Sequence, residues 1–176
     1  MNELVLLLKE HHLTLASCES VSGGDFASAM TDVSGASDVY LGGTVVYTDR
    51  AKNILIGVEY EILELHGSVS EETVRQMAVL TKQRLNSDLA IAFSGNAGPR
   101  VSSDKPVGRI YTAIACSDGC LVFQDDLTGS RKEIKQKTVD LGIVRLKDWI
   151  KGNYQNITNR IGEVTHGQSE ERSVTG

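Results

Sequence analysis

Cysteine is scarce. Cys18, Cys116 and Cys120 are the three in 176 residues, so they cannot all pair within one chain, and no Cys/His cluster has zinc spacing. A disulfide scaffold and a structural metal are therefore not expected, and a reducing cytoplasmic setting is. Long apolar runs are missing as well. The longest, such as Leu4 to Leu8, fall far short of the roughly 20 residues a membrane span needs. The start Met1-Asn2-Glu3-Leu4 lacks the basic flank of a signal peptide, so neither a membrane nor export is expected. There is no long basic run, and 18 Lys and Arg against 23 Asp and Glu leave a net charge of −5, which disfavours nucleic acid as a partner. No Gly-x-Ser-x-Gly elbow surrounds Ser20, and the four histidines are badly placed for a triad: His11 and His12 close the first helix, His66 adjoins a turn glycine, and His166 lies in the tail.

What is present is a chain 40% hydrophobic, enough for one sizeable core. Short β-rich runs alternate with segments of helical period. Leu4, Leu7 and Leu8 predict an amphipathic helix, and Leu13 to Cys18 a buried strand. A helix follows over 22–31, with Phe26, Ala27 and Met30 on one face; then come a strand over 40–47 and a helix over 49–56. The clearest helix begins at the cap Ser70, has Glu71 and Glu72 in its first turn, and carries the stripe Val74, Met77, Ala78, Thr81 and Leu85. Strands are predicted over 88–94, 107–116 and 121–127, the last two joined by Ser117-Asp118-Gly119, and a final helix over 130–151 has its core face at Val139, Ile143, Leu146 and Ile150. This order predicts an α/β fold, a mixed sheet between helices, over residues 1–151. Residues 152–176, poor in apolar side chains, read as a poorly packed tail in which Asn156-Ile157-Thr158 is an accidental glycosylation triplet.

Three segments could carry chemistry. Cys18-Glu19-Ser20-Val21-Ser22-Gly23-Gly24 joins the first strand to the next helix, where backbone N–H groups and a positive helix end face outward. There the Ser20 hydroxyl could attack a carbonyl while the Gly23 and Gly24 amides hold the oxyanion, or the serines could simply cap a helix. Without a histidine the base would have to be a lysine made neutral by burial or cationic neighbours. Lys52 follows the second strand, whose end shares an edge with that of the first in a parallel arrangement. The alternative is a solvated helix lysine. Ser102-Ser103-Asp104-Lys105 matches Ser-x-x-Lys by accident, in a loop before Pro106. The second segment, Phe93-Ser94-Gly95-Asn96-Ala97-Gly98-Pro99, follows another strand, and its glycines and proline suit either close ligand approach or a tight loop. The third, Thr128-Gly129-Ser130-Arg131, opens the last helix and offers a helix start plus an arginine to an anion.

Taken together and in this order, the three segments resemble the C-terminal domain of the CinA family, the nicotinamide-nucleotide amidases. The family signature Ala-Glu-Ser-Cys-Thr-Gly-Gly stands here as Cys18-Glu19-Ser20-Val21-Ser22-Gly23-Gly24. The likeness continues through Thr31 to Ser37, Tyr47 to Lys52, Ile56-Gly57-Val58, His66 to Glu71, Ser94-Gly95 with Ala97-Gly98-Pro99, and Lys105 to Gly108. It implies a three-layer α/β/α sandwich with a mixed, mostly parallel sheet. It also implies hydrolysis of the carboxamide of nicotinamide mononucleotide to nicotinate mononucleotide and ammonia, with no metal and no cofactor. The implied catalytic residues are Ser20 as nucleophile, Lys52 as base, and Tyr47 and Ser94 in support. Gly23, Gly24, Gly95, Asn96 and Arg131 are expected to hold oxyanion and substrate. The expected partner is that small nucleotide, the chain is expected to be a stand-alone form of the domain, and a homo-oligomer is expected. The chain departs from the family at Cys18, Val21-Ser22 and Asn96, and Arg100 to Asp104 replaces the usual Asp-Gly-Gly. The same mechanism on another amide, and a non-catalytic nucleotide-binding module, are the other readings.

Overall fold

Alternation of strand-like and helix-like periods is realised as a sheet covered on both faces. Residues 1–99 and 104–152 are described by the computed structural model. They form α1 (Asn2–Glu10), β1 (Leu15–Glu19), α2 (Asp25–Thr31), β2 (Tyr40–Val45), α3 (Asp49–Ala51) and α4 (Tyr60–His66). Then follow α5 (Glu71–Leu85), β3 (Leu89–Gly95), β4 (Arg109–Cys116), β5 (Gly119–Asp126) and α6 (Arg131–Ile150). The sheet order is β2-β1-β3-β4-β5. Strand β1 pairs parallel with both β2 and β3, while β4 runs antiparallel to β3 and β5.

Strand side chains alternate between two cores, as the pleat requires. Leu89, Ile91 and Phe93 of β3 join Ile110 and Ile114 of β4 beneath α1, α2 and α6, where Leu4, Leu8, Phe26, Met30, Val139 and Leu146 are buried. On the opposite face Ala92, Ala113 and Ala115 meet Val74, Met77 and Ala78 of α5 and Leu63 of α4. The small residues on this face let α5 lie close over the sheet centre. Helix α6 comes close on the other side because Gly142 has no side chain; a Cβ there would sit 2.6 Å from Phe93 Cε1.

The three-layer α/β/α sandwich stands as expected. Parallel pairing makes up half of the sheet rather than most of it, because β4 pairs antiparallel with both β3 and β5. Four local expectations change. Helix α2 begins at Asp25 rather than Ser22, after Gly23 and Gly24 with φ of +68° and +103°. The helix at 49–56 is one α turn that continues as a π turn over Lys52–Ile56. A further short helix, α4, fills the stretch before Gly67. Leu85, placed on the buried stripe of α5, lies exposed at its last turn. No helix of the described residues is long and apolar enough to cross a membrane. Residues 153–176, most of the stretch read as a tail, and Arg100 to Ser103 lie outside the described residues.

Candidate active site

Three parallel strands, β2, β1 and β3, end at one edge of the sheet, and the chain just past each end builds a cavity of about 810 Å³ there. Crevices beyond the carboxyl ends of parallel strands are the usual ligand sites of such folds. Ser20 follows β1 at the centre of this edge; its N–H donates to the Phe93 carbonyl at 3.0 Å, which keeps the chain in strand register to the last residue before the turn. Ser94 is the next residue along β3, and Tyr47 to Lys52 follow β2. Ser20, Lys52, Tyr47, Ser94 and Arg131 all line this one cavity.

The turn that presents Ser20 is held by its neighbour. The Glu19 carboxylate is buried and accepts from the backbone N–H groups of Gly24 (3.0 Å), Phe26 (3.0 Å) and Ala27 (2.9 Å), so an acidic side chain supplied by the preceding strand satisfies the start of α2. Two consequences follow. Ser20 is not the helix cap: no side-chain cap bond exists at the start of α2, and its hydroxyl is left for the cavity, with the residue 8% exposed. The expected oxyanion role of Gly23 and Gly24 is corrected, because Gly24 N–H is spent on Glu19, Gly23 N–H donates to the Ser20 carbonyl at 3.2 Å, and neither residue lines the cavity. Val21, the residue after Ser20, does line it, and its N–H has no acceptor among the described residues.

Lys52 is the reverse of a solvated helix lysine, being 1% exposed. The π turn places it: Lys52 N–H donates to the Thr48 carbonyl at 2.9 Å, and its own carbonyl accepts from both Gly57 (3.1 Å) and Val58 (3.2 Å), an inserted-residue turn of the sort that recurs at functional sites. Burial pushes the Lys52 ammonium below the usual lysine range. The charge of Asp49, 3.7 Å from Nζ, opposes this, and Cys18 opposes it less. Cys18 itself is buried and its thiol is pushed up to about 11, so it stays neutral near pH 7. No hydrogen bond joins Ser20 to Lys52 among the described residues; they share the cavity.

The remaining expected residues divide by what they touch. Arg131, in the first turn of α6, donates from Nη1 to the Gly98 carbonyl (2.6 Å) and from Nη2 to the Tyr47 hydroxyl (2.5 Å). Tyr47, 59% exposed, thus belongs to the arginine rim rather than to the Ser20 and Lys52 pair. Ser94 donates its hydroxyl hydrogen to the Ser68 carbonyl at 2.6 Å, so its oxygen offers only lone pairs to the cavity. Asn96 is a loop fastener: its Nδ2 donates to the Lys105 carbonyl (3.1 Å) and its Oδ1 accepts from Gly98 N–H (3.0 Å). Gly95 lets β3 close on β4, since a Cβ there would meet Ile110. Two residues went unsingled in the sequence, Asp49 and Ser68. Asp49 stands one helical turn before Lys52 and accepts from the Ser68 hydroxyl. The three-residue spacing to a lysine already under suspicion was the signal that could have found Asp49.

Comparison with known proteins agrees with this architecture. The model of the CinA C-terminal domain family matches residues 1–150. A CinA-like protein of Solibacter usitatus is 37% identical over 150 residues, covering 85% of this chain but 36% of that protein; the chain thus spans about a third of the length of the curated relatives it matches. Among solved structures, a CinA superfamily protein from Klebsiella pneumoniae superposes with a TM-score of 0.83 at 26% identity, covering 86% of this chain and 95% of that one. The competence/damage inducible protein CihA from Agrobacterium tumefaciens superposes at 0.78 with 33% identity, covering 82% of this chain and 89% of that one.

Proposed function

The chain belongs to the CinA C-terminal domain family, and from that premise we propose that it is an amidohydrolase in which Ser20 attacks the carboxamide of nicotinamide mononucleotide and Lys52 is the base. One observation carries the reading: a lysine whose burial favours its neutral form shares a cavity with a serine hydroxyl that caps nothing. A lysine base must be neutral when it acts, and burial favours that form of Lys52.

Neutral Lys52 takes the Ser20 proton as Oγ bonds to the carboxamide carbon. The oxyanion that forms is met by the Val21 N–H, the amide following the nucleophile, which has no acceptor among the described residues. Lys52 then returns the proton to the departing nitrogen, ammonia leaves, and Ser20 carries the acyl group as an ester. Water, deprotonated by Lys52, hydrolyses that ester and restores Ser20. Arg131 keeps three of its five N–H donors after its bonds to Gly98 and Tyr47, enough to hold the phosphate at the rim. The cavity, at about 810 Å³, is of the size that takes a mononucleotide.

Ammonia release from nicotinamide mononucleotide, beside simple amides, tests the proposal. Because nucleophile and base act as a unit, Ser20→Ala, Lys52→Ala and the double variant should lose similar fractions of kcat, on the order of 10³-fold or more each and not multiplied. Arg131→Ala should raise KM more than it lowers kcat. Ammonia release that survives Ser20→Ala in a folded protein would remove the mechanism.

A further inference from the structure

Lys52 Nζ is buried, yet it has a carboxylate partner, Asp49, whose side chain is half exposed. That carboxylate is not left to wander in solvent. Ser68, from the loop between α4 and α5, donates its hydroxyl to Asp49 Oδ1, and the carbonyl of the same Ser68 accepts from Ser94. One loop residue therefore ties the segment after β2 to the end of β3, the two strands that flank β1. Asp49, Ser68, Ser94 and Lys52 all line the cavity. Among the described residues the titratable groups near Lys52 are Asp49 on its own turn, the neutral Cys18 thiol from β1, and, elsewhere in the cavity, Tyr47 and Arg131, paired with each other, and Asp104, paired with Lys105.

We propose that Asp49, held in place by Ser68, is a positioning residue for Lys52: its carboxylate fixes the amine end beside Ser20 and sets the pH at which that amine gives up its proton. The inference rests on the Ser20 and Lys52 reading and adds to it a second residue pair and a regulated quantity. A carboxylate one turn away stabilises the ammonium, so Asp49 holds the deprotonation midpoint higher than burial alone would leave it. With Asp49 removed, Lys52 loses its proton at lower pH, and the acid limb of the activity profile moves to lower pH with it. For a pair at 3.7 Å with one partner half in water, the displacement is on the order of one pH unit.

The test follows Lys52 directly. Full-length protein with ¹³C-labelled lysine is titrated by NMR, the Lys52 Cε signal being assigned by its loss in Lys52→Met. Asp49→Asn, which keeps shape and removes charge, should lower the Lys52 midpoint by about one unit. Ser68→Ala should lower it less, and Asp49→Glu should recover much of the parent value. In the same variants the acid limb of kcat/KM for ammonia release should move in step, a shift that a merely structural role for Asp49 would not produce. An unchanged Lys52 midpoint in folded Asp49→Asn overturns the proposal, and so does an acid limb that stays put while the midpoint moves. If no amide is turned over by the parent while the midpoint still falls in Asp49→Asn, the positioning of Lys52 by Asp49 is upheld and the amidase reading is what fails.

Discussion

Replacing Lys52 with methionine should abolish activity and make the protein more stable. Lysine and methionine have similar reach, and at 1% exposure the site takes the side chain out of water, which suits a thioether better than an ammonium. Burial disfavours the charged form, and each unit by which the folded midpoint is depressed corresponds to about 1.4 kcal/mol lost from the folded state when the group is charged in both states. Asp49 returns part of that loss, and after the substitution it keeps water and the Ser68 hydroxyl, so its own cost is small. Replacement of buried ionic groups by apolar ones is commonly neutral or stabilising by 1–4 kcal/mol, and here we expect a gain of about 1–3 kcal/mol at pH 7, or a Tm increase of roughly 3–10 °C for a chain of this size. The pH dependence is the sharper part. Because the folded midpoint lies below the unfolded one, the penalty in the parent is complete at pH below the folded midpoint. Above it the unfolded chain holds more protons than the folded one, and parental stability rises. The advantage of the variant should therefore shrink as pH climbs toward 10.5, the ordinary lysine value. Urea unfolding of both proteins between pH 6 and pH 10 reads this. A variant less stable than the parent at pH 7, or an advantage that widens with pH, would refute the assignment of Lys52 as a desolvated base held at a cost.

Two further substitutions probe how the fold supports the site. Gly142→Ala trades a gain of about 1 kcal/mol in helix propensity for a Cβ placed 2.6 Å from Phe93 Cε1 and 3.0 Å from Ile91 Cδ1, so a net loss of up to about 2 kcal/mol in urea unfolding is expected; a stabilised variant would show that α6 does not need that close approach. Glu19→Ala strips three N–H groups of their charged acceptor and should cost about 3 kcal/mol or more, with Glu19→Gln intermediate; unfolding midpoints within about 1 kcal/mol of the parent for both variants would mean that the turn holds itself.

The layer order, the strand positions and the placing of Ser20, Lys52, Tyr47, Ser94 and Arg131 at one edge were legible because they depend on periodicity and strand direction. Val74, Met77 and Ala78 repeat at helical spacing and are buried; Leu89, Ile91 and Phe93 alternate and share one core. The partition of roles within the site was less legible, since it depends on which acceptor wins each donor. Ser20 to Gly24 reads as a helix start rich in free amides, and in isolation it would be one. Glu19 decides otherwise, because a charged acceptor in the same turn outcompetes a ligand for Gly24 and the first amides of α2. No local pattern in the sequence tells whether that carboxylate turns inward.

The same competition accounts for Tyr47 and Ser94. Tyr47 lies past the end of β2 and Ser94 is the second-last residue of β3, and the family resemblance implies supporting roles for both at the Ser20 and Lys52 pair. Tyr47 is instead claimed by Arg131, a residue 84 positions away whose place depends on how α6 docks across the sheet. Ser94 is claimed by the Ser68 carbonyl, 26 positions back. The Ser94 bond spends the donor that a proton relay would need, whereas Tyr47 accepts from Arg131 and keeps its own O–H; the proposed mechanism gives the Ser20 proton to Lys52. That is why the burial of Lys52 matters to the proposed mechanism: with no histidine among the described residues lining this cavity, the proposal assigns deprotonation of Ser20 to one amine, whose neutral form desolvation favours and whose shift the carboxylate of Asp49 limits.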